Sequence, residues 1–336
     1  MGLLIEFLTS RFLGQSAWLW LVFAGLVIGL MIFDLGMVNG KERAVTLRKN
    51  VLLSISYIGI ALLFGLFVSW QLGPGKGTAY FTGYLIEKML SIDNLYVIAM
   101  IFSALSIPPR YHHRVLFWGI IGAVVLRALL IGMGATLVRE YFWLLYLFGA
   151  FVLLTGVRMW MSDHRPRDMS DSSLLRFLQR RLRTTVLTGD AFFVRNPDPD
   201  THRLVRFATP LFVALCLVEL ADVAFALDSI PAVFAITTDP FIVYTSNIFA
   251  ILGLRSLYFV LGAMVQRFEY LRYALALILI FIGGKVLLSR LLGEVPPSAS
   301  LLVTLLILTG GILVSLWKER AVRREGGAHG WDHPKA

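Results

Sequence analysis

The stretch PLFVALCLVELADVAFALDSIPAVFA, residues 210–235, is long and apolar enough to cross a bilayer, for which about 20 apolar residues suffice. It nonetheless carries three carboxylates, Glu219, Asp222 and Asp228. A charged side chain at the bilayer centre costs roughly 3 kcal/mol or more, so such groups turn toward a polar cavity and act on what passes through it. Residues 80–103, YFTGYLIEKMLSIDNLYVIAMIFS, repeat the pattern with Glu87 and Asp93. Two acid-bearing apolar helices are what the rest of the chain has to explain.

The whole chain is of the same character. Of its 336 residues, 57% are hydrophobic and only 15% charged, which excludes an ordinary soluble domain and indicates an all-α, polytopic membrane protein. The N-terminal residues have no basic region leading to a cleavage site, so the first span is read as retained. A single cysteine, Cys216, allows neither an internal disulfide nor a thiolate cage. Nine spans can be drawn, at about 17–35, 51–70, 80–102, 115–138, 142–161, 209–235, 241–264, 271–290 and 299–317.

Basic residues set the orientation. Twenty-three Lys and Arg fall on one side of these spans and only Arg11, Lys76, Arg139 and Arg290 on the other. The excess marks cytoplasmic loops rather than a nucleic-acid surface, and places the N-terminus outside and the C-terminus in the cytoplasm. The long loop 162–208 is then cytoplasmic. SSLLRFLQRRLRT, with Ser172 or Ser173 as N-cap, reads as an amphipathic helix on an anionic membrane surface. Residues 192–209 read as a hairpin around the turn-rich 196–200, and the tail after Arg320 as disordered.

The acidic helices open two similar units. Glu87 and Asp93 are six residues apart, as are Asp222 and Asp228. The following spans carry Leu126-Arg127 and Leu254-Arg255, and a glycine follows each arginine by 29 residues, Gly156 and Gly284. Each unit has three spans, so the second is inverted relative to the first, an arrangement typical of transporters. The organisation expected is two N-terminal helices in 1–79, a first repeat in 80–161, the loop 162–208, a second repeat in 209–291, a ninth helix in 292–318 and a tail in 319–336.

At about 100° per residue Glu87 and Asn94 share a helical face, with Ser91 near it and Asp93 at its edge. Asp222 and Ser229 take the matching face, flanked by Glu219 and Asp228. Pro231 withholds a donor from the Leu227 carbonyl, so a broken helix beside Asp228 is expected. The six histidines fall in predicted cytoplasmic segments and the methionines are scattered, so an all-oxygen site for Mn²⁺, Mg²⁺ or Ca²⁺ is indicated rather than one for Zn²⁺ or Cu⁺. Lys88, Arg127, Arg255 and Lys285 also lie at membrane depth. A purely structural ion-pair network is the alternative for the acids, and it accounts well for Arg127 and Arg255. Asp34 reads as a helix-end polar group or a gate, and Asn247 as a ligand or an interhelical hydrogen bond.

At these residues the sequence resembles the TerC family of integral membrane proteins, named for tellurium resistance. The stretches that carry the resemblance are FTGYLIEKMLSIDNLYV, GAVVLRALLI, YLFGAFVLLTGVRM, FFVR and VELADVAFALDSIPAVFAITTDPFIVYTSNIFAILGLRSLYFVL. The resemblance implies a core of two inverted three-helix repeats, and for Alx-type members manganese(II) export. It implies a metal site at Glu87, Asp93, Asn94, Glu219, Asp222, Asp228, Ser229 and Asn247. The expectation is therefore a secondary transporter of the cell inner (plasma) membrane, not an enzyme. It needs no cofactor, carries Mn²⁺ as substrate and takes H⁺ as coupling ion. An accessory protein that delivers metal to exported proteins at the secretion machinery is the rival reading. An intramembrane aspartyl hydrolase using Asp93 and Asp228 is another, weakened by the acids that such a dyad does not need. Tellurite, an oxyanion, is a poor match for five carboxylates.

Overall fold

The computed structural model describes residues 6, 8–38, 47–161, 184, 191–197, 204–262, 271–292 and 295–328. The amphipathic segment expected at 172–184 lies outside them except for Thr184. A two-residue turn with positive φ at Leu13 and Gly14 joins β1 (Arg11–Phe12) to β2 (Gln15–Ser16), the geometry that matches the twist of paired strands. Five long helices follow: α1 (Ala17–Val38), α2 (Leu47–Leu72), α3 (Pro74–Ala104), α4 (Pro109–Glu140) and α5 (Leu144–Met161). Strands β3 (Phe193–Pro197) and β4 (Leu204–Ala208) pair antiparallel, so the hairpin expected before residue 210 is present. The chain continues through α6 (Pro210–Phe234), α7 (Pro240–Ile251), α8 (Leu254–Gly262), α9 (Leu271–Leu292) and α10 (Pro297–Ala328).

Helices α3, α4, α6, α7 and α10 each open on a proline, whose missing N–H costs nothing at a first turn. Asp239 caps α7 by accepting from the Phe241 amide at 3.0 Å. The same carboxylate meets Lys76 Nζ at 2.7 Å and accepts from Gln15 Nε2 at 2.9 Å, tying the N-terminal hairpin and the start of α3 to that cap.

Seven stretches are long and apolar enough to cross a membrane among the described residues: in α1, α2, α4, α5, α6, α10 and the consecutive pair α7–α8. Helix α3 is as long as these at 31 residues but carries Glu87, Lys88 and Asp93. It is packed by α2, α6, α7 and α10, and its Glu87 and Lys88 face protein. Helix α9 lies against α5 and α10. The fold is all-α and polytopic.

Two expectations are corrected, and the matched glycines are sorted. Helix α6 runs unbroken through Pro231, and the interruption comes instead at Leu252–Gly253, between α7 and α8, where Gly253 has φ +83°. A proline one turn from a helix end disturbs few hydrogen bonds, whereas glycine in the left-handed region ends a helix outright. The backbone after Arg320 is helical to Ala328, since KERAVRRE is rich in strong helix formers. The glycine that meets α5 is Gly283 rather than Gly284. A Cβ on Gly283 would lie 2.5 Å from the Leu153 amide nitrogen, and one on Gly284 would meet nothing. Gly156 lies equally close to α9, where a Cβ would sit 2.8 Å from the Ile280 nitrogen. Backbones thus touch along the α5–α9 seam, the close approach that small residues permit within membranes.

Candidate functional site

Helices α3, α4, α6 and α7 pack on one another around a single polar cluster. Helix α3 supplies Glu87 and Asn94, α4 Arg127, α6 Asp222 and Ser229, and α7 Asn247. All six are 4% exposed or less. Seven residues make nearly two full turns, so each pair on α3 and α6 falls on one face.

Arg127 sits at the centre. Its Nε and Nη2 donate to the two oxygens of Asp222 at 3.2 and 2.9 Å, a side-on bidentate pair. Its Nη1 is paired with Glu87 Oε1 and also reaches Asn247 Oδ1 at 3.2 Å and Ser229 Oγ at 3.4 Å. Asn94 Nδ2 donates to Asp222 Oδ1 at 3.1 Å, closing the ring from α3 to α6. Two carboxylates share one guanidinium, so the cluster keeps one uncompensated negative charge if both are ionised.

Not every polar atom is satisfied. Glu87 Oε2, Asn94 Oδ1 and Asn247 Nδ2 are buried without a hydrogen-bond partner. A buried orphan costs about 1–3 kcal/mol, and native cores carry few. Two of the three are oxygens, so the cluster's acceptor capacity exceeds what Arg127 uses. The oxygens brought together come from two carboxylates, two amides and a hydroxyl, a hard donor set without sulfur or imidazole.

The other expected residues are placed around this centre. Glu219, one turn before Asp222, lays its carboxylate against Gly122 of α4, where a Cβ would collide with it. Its Oε2 is also a buried orphan. Asp228 is not drawn in. Six residues from Asp222 it points about 120° away around the helix, and the charge acting on it is Arg158 of α5. The side chain of Asp93 lies outside the described residues. Ser91 donates to its own helix at the Glu87 carbonyl, 2.7 Å away. Among the described residues no three of His, Cys, Asp and Glu are grouped so as to hold a metal ion.

The remaining cations are accounted for elsewhere. Lys88 Nζ donates to the Ala250 carbonyl at 3.1 Å, placing an ammonium on the open C-terminal end of the half-helix α7. Arg255, just past the break, pairs with Asp34 of α1 at 2.6 Å, and Tyr57 donates to the same carboxylate at 3.1 Å. Lys285 donates to Ser300 of α10 at 2.8 Å, away from the cluster. Sequence reasoning missed Gly122 and Tyr57. The closely spaced Gly119 and Gly122 near the middle of α4 were the available signal for the first, and no signal marked the second.

Fold and site together define a helical, multi-pass membrane protein with a buried charge-paired centre. The chain belongs to the TerC family of integral membrane proteins, which matches residues 72–323. It is 44% identical to an uncharacterized membrane protein of Myxococcus xanthus over 91% of this chain and 94% of that one. It is 42% identical to one of Rickettsia bellii, covering 91% and 99%. It is also 42% identical to Escherichia coli Alx, described as a putative membrane-bound redox modulator, covering 89% and 94%. No solved structure matches the chain.

Proposed function

We propose that the protein is a secondary transporter that exports Mn²⁺ from the cytoplasm across the inner membrane, with protons moving the other way. The observation that carries this reading is the convergence of Glu87, Asn94, Asp222, Ser229 and Asn247 from three helices on one buried point. One oxygen from each, with a water, would give six hard ligands, the number such a dication takes. A network built only for stability would have no use for the orphaned oxygens of Glu87 and Asn94. A carboxylate that releases a dication and takes a proton couples the two flows.

Alternating access comes from two inverted units, residues 80–161 and 209–291. The reciprocal packing of α3 on α7 and of α6 on α4 supports this relation, as does the pairing of equivalent helices α5 and α9. The basic residues put the N-terminus outside and the C-terminus in the cytoplasm. Glu219, one turn before Asp222 on α6, extends the path on one side of the cluster. The redox role named for the Alx relatives is met indirectly, through the cell's content of a redox-active metal.

Proteoliposomes loaded with a Mn²⁺-quenched dye provide the test. The parent protein moves Mn²⁺ faster than Zn²⁺, and Asp222→Asn cuts the rate about 100-fold, within the range found for deleted metal-site interactions. Equal rates in the parent and Asp222→Asn, with both proteins folded, reject the site. Metal delivery to exported proteins without transport is the outcome favouring the accessory reading.

A further inference from the structure

We infer that the Arg127 guanidinium is a tethered competitor of the transported cation: it holds the substrate's ligands together and must leave them before a dication can bind. The inference rests on the transporter reading and assigns a mechanism to the same centre.

The argument begins with occupancy. Every residue proposed to ligate the metal from α3, α6 and α7, save Asn94, is already a hydrogen-bond acceptor of Arg127. Asn94 reaches the group through Asp222. A guanidinium filling this position and a dication compete, because only the orphaned oxygens of Glu87 and Asn94 remain free of it, too few to hold the ion. Charge gives a second reason. Two carboxylates neutralise a dication, so a retained guanidinium would leave a net positive charge in a low-dielectric interior.

Displacement is also sterically reasonable. Arginine has a long flexible stem, and its planar fork can exchange one set of acceptors for another. Glu219 lies over Gly122 of α4, one turn along α6 from Asp222. Its Oε2, buried and without a partner, offers an acceptor to a guanidinium that has left Asp222. The arginine then serves two ends. It keeps the ligands from repelling one another when no ion is bound, and it sets a threshold affinity that allows release on the far side.

A scaffold arginine predicts the opposite response to removal. If Arg127 merely holds the ligands in place, its loss weakens metal binding. If it competes, its loss tightens binding and slows turnover, because a ligand's apparent affinity falls with the fraction of sites available to it. The experiment compares parent, Arg127→Gln and Arg127→Lys for Mn²⁺ binding, read by the electron-paramagnetic resonance of free Mn²⁺, and for Mn²⁺ transport in proteoliposomes. Arg127→Gln is expected to bind about tenfold more tightly or better, with KM and maximal rate falling together. Arg127→Lys, with a point charge in place of the fork, is expected to bind severalfold more tightly.

Weaker or unchanged binding in a monodisperse Arg127→Gln overturns the inference. Should that variant not survive purification, Arg127→Lys decides by the same criterion. A parent protein that transports Mn²⁺ while the variants bind it less well defeats only the competitor role. A parent that neither binds nor transports Mn²⁺ defeats the transporter reading and this inference with it.

Discussion

Asp34 and Arg255 bring a carboxylate and a guanidinium together at the foot of the half-helix α8, with side chains 15% and 6% exposed. Removing one partner of a buried pair leaves the other uncompensated and costs about 3 kcal/mol or more. Asp34→Asn is therefore expected to destabilise the protein by about 3 kcal/mol in detergent unfolding, since Tyr57 cannot neutralise the cation. A loss below about 1 kcal/mol would place Asp34 among surface-like pairs instead. Much of the central cluster was legible at this scale. The seven-residue spacings of Glu87 with Asn94 and Asp222 with Ser229 name the faces that meet. The position of Arg127 was not legible, because helical periodicity says which side chains share a face and not which opposing side chain reaches it. Asp228 shows the same limit: its six-residue spacing matched a motif but put it on another side of α6.

At the scale of the element, the adjacent glycines of α9 separate packing from composition. Gly283 faces the α5 backbone and Gly284 faces open space. Gly283→Ala forces the helices apart and is expected to cost about 1–3 kcal/mol, the usual penalty of overpacking. Gly284→Ala is expected to be neutral or to stabilise by up to about 1 kcal/mol through helix propensity. Thermal unfolding of the two variants in one detergent decides it, and equal effects would contradict the seam as described. Nothing in the sequence distinguishes the two residues, because both fit the 29-residue spacing to within one position. The break in the seventh span was similarly concealed. Pro231 drew attention as the obvious helix breaker, yet α6 accommodates it near its end, and a lone Gly253 amid apolar residues gives the chain its reversal of φ. The hairpin β3–β4 was legible because turn residues flanked by alternating β-formers form a local pattern that needs no tertiary contact.

The whole molecule is organised by charge as much as by hydropathy. Its +10 net charge is distributed so that one face of the predicted membrane bears most of the Lys and Arg. The structure keeps the pieces of that face together. Arg114, in the first turns of α4, lies 5.3 Å over the ring of Phe192, and Phe193 of the hairpin packs at 4.4 Å against Phe212 in the first turn of α6. A C-terminal reporter active only in the cytoplasm is expected to be active, and a reporter active only outside to be silent. The reverse result would invert the transport direction along with the topology. Seven of the nine spans drawn from the sequence coincide with stretches long and apolar enough to cross among the described residues, and these were legible because burial in lipid demands long uninterrupted runs. The packing order of the helices was not, since lipid-facing and protein-facing apolar residues look alike in a sequence.

The contact between α5 and α9 has a mechanical consequence. Where two backbones touch through Gly156 and Gly283, no cushion of side chains remains to be compressed or repacked. That line behaves as a fulcrum, gliding a little but unable to gape. Under the transport reading proposed above, any widening that admits an ion would occur away from this line, among the helices that hold the polar cluster.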